Sequence, residues 1–222
     1  LWSCIKNSKR ENGGIDMKNG TVIEFRGVRN LVAAEVLKDT LTEYEVGTPF
    51  NVAALAEIAK KVETSSATKY YDNKPALSLA SEGATTLDIT TDALGLDIVA
   101  KLTGKEYDEE NKILLDKSVI GTKYFAIGYA VGMTDGTERF VWLYKCSFAY
   151  PDESSKTADA GTDSSGQTLT CTAIETTHQF EYEKDGTVKK SSFKGLVAET
   201  GPLTDGWFDS VQTPDVIYPV IP

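Results

Sequence analysis

Residues 123–150 read KYFAIGYAVGM, TDGT, ERFVWLYKCSFAY, and their reading decides the fold. Two runs rich in aromatic and β-branched residues flank a short break of turn formers, which is the composition of a β-hairpin. Gly136 in the break tolerates the positive φ that tight hairpin turns require. In the second run Phe140, Trp142 and Tyr144 fall on one face, and Val141, Leu143 and Lys145 on the other. Both faces carry large apolar groups. The strand is therefore expected in a sandwich or at an interface, covered on both sides.

Other segments follow outward from this hairpin. Residues 28–37 (VRNLVAAEVL) predict a buried first strand, and the polar stretch 38–49, with Gly47 and Pro49, predicts a loop. In 52–62 the spacing of Leu55, Ile58, Ala59 and Val62 is that of an amphipathic helix. Residues 68–71 read as a short strand before the turn signal Asp72-Asn73-Lys74-Pro75. Residues 85–91 alternate strictly and read as a half-buried strand. Thr91 or Asp92 is then the expected N-cap of a helix reaching Leu102, with Leu94, Ile98, Val99 and Leu102 as its apolar stripe and Gly104 as its terminator.

Beyond the hairpin, 151–166 (PDESSKTADAGTDSSG) is a low-complexity acidic loop that buries too little to offset its ordering entropy. Residues 167–182 read as one long strand, Lys184-Asp185-Gly186-Thr187 as a hairpin turn, and 212–222 as an extended tail. At the other end, Met17 follows codons for Glu11-Asn12-Gly13-Gly14 that suit a ribosome-binding sequence. Residues 1–16 are accordingly expected to be an untranslated leader or a disordered N-terminus, and 17–222 a single domain.

Charge and composition narrow the function. The 222 residues carry a net charge of −10, which disfavours wrapping nucleic acid or lying on an anionic membrane. It is compatible with a passage through which DNA slides without adhering. The three cysteines, Cys4, Cys146 and Cys171, form no CxxC and no disulfide framework, so free thiols are expected. His178 is the one histidine and has no cysteine or histidine at ligand spacing. There is no G-x-S-x-G elbow, no Walker loop and no G-x-G-x-x-G. Acids cluster at Asp108, Glu109 and Glu110 and at Asp152 and Glu153, in turns where solvated carboxylates are the ordinary reading. No catalytic, metal or cofactor residue is expected.

Several stretches resemble, in order, the major tail proteins of long non-contractile-tailed bacteriophages. GVRNLVAAEVL (27–37) resembles their opening strand and TSSATKYYDN (64–73) their strand-and-turn segment. DALGLDIVAKLTGKEYDEENKIL (92–114) is similar to their helix, its Gly terminator and the Tyr-Asp turn after it. YFAIGYAVGMTDGTERFVWLYKCSFAYPDE (124–153) looks like the family hairpin, TLTCTAIETTHQFEYEKDG (168–186) like the following strand, and GWFDSV (206–211) like the C-terminal Trp-Phe signature. The chain departs from the family at Cys146, where a small residue is usual, and at 154–166, which carries more Ser and Ala than charge.

The resemblance implies a mainly β fold: a β-sandwich of tail-tube type with one flanking α-helix (about 91–103) and long loops. It also implies that 52–62 pairs as a strand, against its helical periodicity. Subunits of this family form stacked hexameric rings, a tube around a DNA-conducting lumen, and the protein would act without catalysis. Implied partners are further copies of itself and tape-measure, tail-terminator and distal tail proteins. The implied location is the virion tail, assembled in the bacterial host cytoplasm. On this reading Asp152, Glu153, Asp159 and Asp163 mark a candidate inter-ring loop, for which a plain solvent loop is the alternative. Phe140, Trp142, Tyr144, Trp207 and Phe208 are candidate core or subunit-interface aromatics. Two other readings remain open, the tube of a contractile injection device and a monomeric immunoglobulin-like surface-binding module.

Overall fold

The computed structural model describes residues 22–118, 122–155 and 166–220. The expected leader at 1–16 lies outside these ranges. The chain enters as β1 (Phe25–Asp39), followed by β2 (Tyr44–Val46) and β3 (Phe50–Ala53). A long hairpin, β4 (Leu55–Tyr71) and β5 (Lys74–Thr91), leads to helix α1 (Leu96–Thr103). The small hairpin β6 (Glu106–Asp108) and β7 (Ile113–Leu115) precedes the central pair, β8 (Phe125–Met133) and β9 (Glu138–Phe148). Then come β10 (Asp152–Glu153), β11 (Gln167–Ile174), the hairpin β12 (Phe180–Lys184) and β13 (Thr187–Ser191), β14 (Gly195–Glu199), and the short helix α2 (Pro214–Ile217).

Ten of these strands form one sheet with the path β2-β1-β8-β9-β11-β5-β4, while β3 joins β1, β14 joins β9 and β10 joins β11. The fold is thus mainly β with two short helices. The β8–β9 hairpin closes where the turn composition predicts, with Gly136 at φ 84° and Met133 N–H donating to Thr137 O at 2.9 Å. The sheet curls until β4 comes back beside β1, within 8 Å between Cα atoms. No hydrogen-bonded ladder joins those two strands among the described residues.

The two faces of the sheet explain the doubly apolar β9. Val141 and Leu143 point into a first cluster with Leu31, Ala33, Leu87, Ile89, Phe125 and Ile127, covered by α1 through Val99 and Leu102. Phe140, Trp142 and Tyr144 point into a second cluster with Val32, Ala34, Phe180, Trp207 and Val211. A bulge then reverses the alternation. Phe125 pairs with Cys146 and Ile127 with Leu143, so β9 has an extra residue there. Cys146 turns to the first cluster, and Lys145, expected beside Leu143, turns away to pair with Asp39.

Several expectations are corrected. Stretch 38–49 contains the end of β1 and all of β2, because Tyr44 has a buried destination: its hydroxyl donates to Tyr144 O at 2.7 Å. Residues 52–62 lie in β3 and β4, as the resemblance implies and the helical spacing does not. Helix α1 begins at Leu96 with Gly95 as its N-cap, and no side chain caps it. Thr91 still belongs to β5, and Asp92 is used elsewhere, its Oδ1 accepting from Ala54 N–H at 3.1 Å. The C-terminal end is as predicted, since Gly104 at φ 75° donates its N–H to Ala100 O.

The single strand expected over 167–182 breaks after Ile174. Asp39 accepts hydrogen bonds there from the N–H groups of Thr177 (2.9 Å) and His178 (2.8 Å), and the chain restarts as β12 in a separate hairpin. Residues 212–220, read as an extended tail, instead turn through α2. Ile217 packs on the second cluster and Tyr218 O accepts from Glu183 N–H at 3.1 Å.

Candidate functional site

The groups with chemical potential do not converge. Among the described residues no three His, Cys, Asp or Glu side chains stand close enough to hold a metal ion. His178 lies against Phe180, ring centroids 4.8 Å apart, and its buried Nδ1 has no hydrogen-bond partner. Cys146 and Cys171 are buried free thiols on paired strands in the first cluster, and burial raises the Cys146 thiol well above its ordinary pKa. A buried, protonated thiol is a poor nucleophile. Asp108 closes its own turn, accepting from Asn111 Nδ2 (2.7 Å) and from the N–H groups of Glu110 and Asn111. The Asn111 bonds hold its carboxyl below the usual range. Glu109 and Glu110 are exposed on the same turn.

Of the four acids of the expected loop, Asp152 and Glu153 form β10, paired with Thr168 and Gln167 of β11. Glu153 accepts from Gln167 Nε2 at 2.5 Å, which fixes the start of the loop to the sheet. Asp159 and Asp163 lie outside the described residues.

The five candidate aromatics meet in one place. Phe140, Trp142, Tyr144 and Trp207 are buried and Phe208 is half-buried. Phe208 stands 6.0 Å from both Phe140 and Trp142 between ring centroids, and Trp142 Nε1 donates to Trp207 O at 3.0 Å. The hydroxyl of Tyr144 donates to Gln212 O at 2.9 Å. Such bonds give the polar tips of Trp142 and Tyr144 partners while their rings stay in the core, whereas the buried Nε1 of Trp207 has none. These aromatics therefore fasten the C-terminal segment to β9 within one chain.

Two exposed features lie on the outside of the fold. Strand β5 pairs with β11 only from Thr85 to Thr91. Beyond that point β4 and β5 continue alone, from the pair Thr64 with Glu82 to the pair Tyr71 with Lys74. Every residue from 60 to 83 is exposed. The two-residue turn at Asp72 and Asn73 has φ values of 50° and 60°, which suits the right-handed twist of the ribbon. The sequence suggested only the ends of this arm. Its first strand, of Ser, Thr, Ala and Lys before the two tyrosines, lacks apolar alternation, and in the second only Leu77 and Leu79 alternate.

Beside the root of the arm is a second feature that no motif announced. A cleft of about 520 Å³ opens where the curled sheet brings β4 opposite β1, β8, β9 and β14, lined by Val28, Ile58, Tyr129, Val131, Val141 and Val197 among others. Val197 on β14 is half-exposed, and burial pushes the Tyr129 hydroxyl up to about 12. The outer edges of β4 and β14 carry no further strand among the described residues, and unpaired edges are templates for strand addition. Neither a known family nor any curated protein matches this chain.

Proposed function

We propose that this protein is the structural subunit of a phage tail tube, assembling with copies of itself into stacked, hexameric rings around a DNA-conducting lumen. The curled sheet and α1 would be the tail-tube β-sandwich of that subunit. The observation that carries the reading is the arm: an extended β-ladder built from residues that are all exposed. Isolated two-stranded ribbons are marginal in water, so a sequence that specifies this one is best explained by a partner that covers it. Open edges on β4 and β14 point the same way, because ring closure joins edges that a monomer would leave free. A net charge of −10 suits a conduit that DNA must not stick to. The ordered motifs of residues 27–211 supply the choice of family.

Light scattering on the full chain, followed by negative-stain electron microscopy, tests this reading. Rings or tubes with a central hole are the expected result. A strict monomer at the highest reachable concentration overturns it in favour of an isolated surface-binding module. Tubes accompanied by a neighbouring sheath gene would move the assignment to a contractile device of the same architecture.

A further inference from the structure

The cleft between β4 and β14 has the make-up of a small-molecule site. Its apolar walls are Val28, Ile58, Val131, Val141 and Val197, contributed by β1, β4, β8, β9 and β14. Its volume of about 520 Å³ falls within the range of ligand pockets, roughly 300–1,000 Å³. Such pockets combine an apolar lining with a few polar groups that orient the ligand.

Tyr129 supplies one such group. It lines the cleft and is only 3% exposed, yet its hydroxyl makes no hydrogen bond among the described residues. The hydroxyls of Tyr44 and Tyr144, by contrast, each donate to a backbone carbonyl. A phenol withdrawn from water without an acceptor carries a desolvation cost that a bound acceptor would offset. With its pKa pushed up to about 12 by burial, the group stays protonated and is available as a donor. The charges around the cleft cancel. Lys60, Arg139 and Glu57 line it, and Arg139 is paired in turn with Glu199, Nη2 to Oε1 at 3.1 Å. Its guanidinium also lies over the Phe25 ring, 5.1 Å from the centroid. Two cations and two carboxylates therefore leave no net charge to favour an anion or a cation.

We infer that the cleft binds a small uncharged molecule, its apolar body held between the valines and Ile58 and one acceptor atom, such as a ketone oxygen, bonded to the Tyr129 hydroxyl. The site is complete within a single chain, so it goes beyond the assembly reading and does not depend on it. Apolar burial supplies the attraction, and the Tyr129 bond fixes the orientation.

Titration of the full chain with prodan, an uncharged naphthyl ketone whose emission shifts to the blue on leaving water, tests the site. Saturable binding at one dye per chain, with blue-shifted emission, is the expected result. Dansylate, a naphthalene of similar size bearing a sulfonate, should bind at least about tenfold more weakly, because a charge buried without a partner is costly. Val197→Trp fills the cleft from a half-exposed position and should abolish saturable binding. Tyr129→Phe keeps the ring and removes only the hydroxyl. It should weaken prodan about fivefold, the worth of one neutral hydrogen bond, without lowering the urea midpoint, since no bond within the chain is lost. Uptake that never saturates, dansylate binding as tight as that of prodan, or undiminished binding by Val197→Trp overturns the inference. So does a Tyr129→Phe chain that binds prodan as tightly as wild type.

Discussion

Asp39 ends β1, and its carboxylate joins three elements that are distant in sequence. It accepts from Lys145 Nζ at 2.5 Å on β9 and from the N–H groups of Thr177 and His178 before β12. Burial alone pushes its pKa up, but the bonds from Lys145 and the two N–H groups outweigh that and hold it below the ordinary carboxylate value. Because the folded-state pKa is depressed, the stabilisation is present above the unfolded pKa of about 4 and is lost as pH falls through the folded value. Asp39→Asn should cost about 1.5–3 kcal/mol in urea unfolding at neutral pH, the range for bonds to a charged group. The gap to wild type should close as the solution is acidified below about pH 4; a gap that persists at acid pH would mean that the charge is irrelevant. A second residue-scale prediction concerns Gly128. A Cβ there would meet Val32 Cγ2 at 2.8 Å and the Trp142 and Phe208 rings at 3.0 Å. Gly128→Ala should therefore destabilise by about 1–3 kcal/mol through overpacking, read as a lower urea midpoint with an unchanged slope.

Elements in this fold obey local signals where the signal is backbone chemistry. The turns at Gly136 and at Asp185-Gly186, and the helix stop at Gly104, sit where glycine or Asx residues require them. Periodicity was a weaker guide. The helical spacing of Leu55, Ile58 and Val62 coexists with a β-ladder, because register shifts within β4 let the side chains drift relative to strict alternation. The arm gives the element-scale prediction. Asn73 holds φ 60°, a conformation that a β-branched residue adopts only at a cost of about 1–2 kcal/mol. Asn73→Val should leave global unfolding of the core unchanged but speed amide exchange throughout the arm. Slower exchange, or a lowered global midpoint, would show that the arm and core unfold as one unit.

For the whole molecule, one sheet builds both sides of the core. Its first face closes on α1 and on its own far strands; its second is covered by the C-terminal segment and the β12–β13 hairpin. What remains outside is an arm, a cleft and two strand edges, and assembly is the use proposed for the arm and the edges. Light scattering and electron microscopy address that use as a whole.

The mainly β class, the β8–β9 hairpin, the stop of α1 and the two-sided burial of β9 are legible in the residues alone. Each depends on residues within a few positions of one another, so turn chemistry and alternation suffice. Where those faces point is set by long-range packing. The bulge that turns Cys146 inward, the capture of residues 177 and 178 by Asp39, the folding back of 212–220 and the separation of the arm from the sheet all depend on partners far away in the chain. A local pattern records the propensity of a segment but not the neighbour that satisfies it, and in a sheet whose strands pair across the length of the chain the neighbour decides.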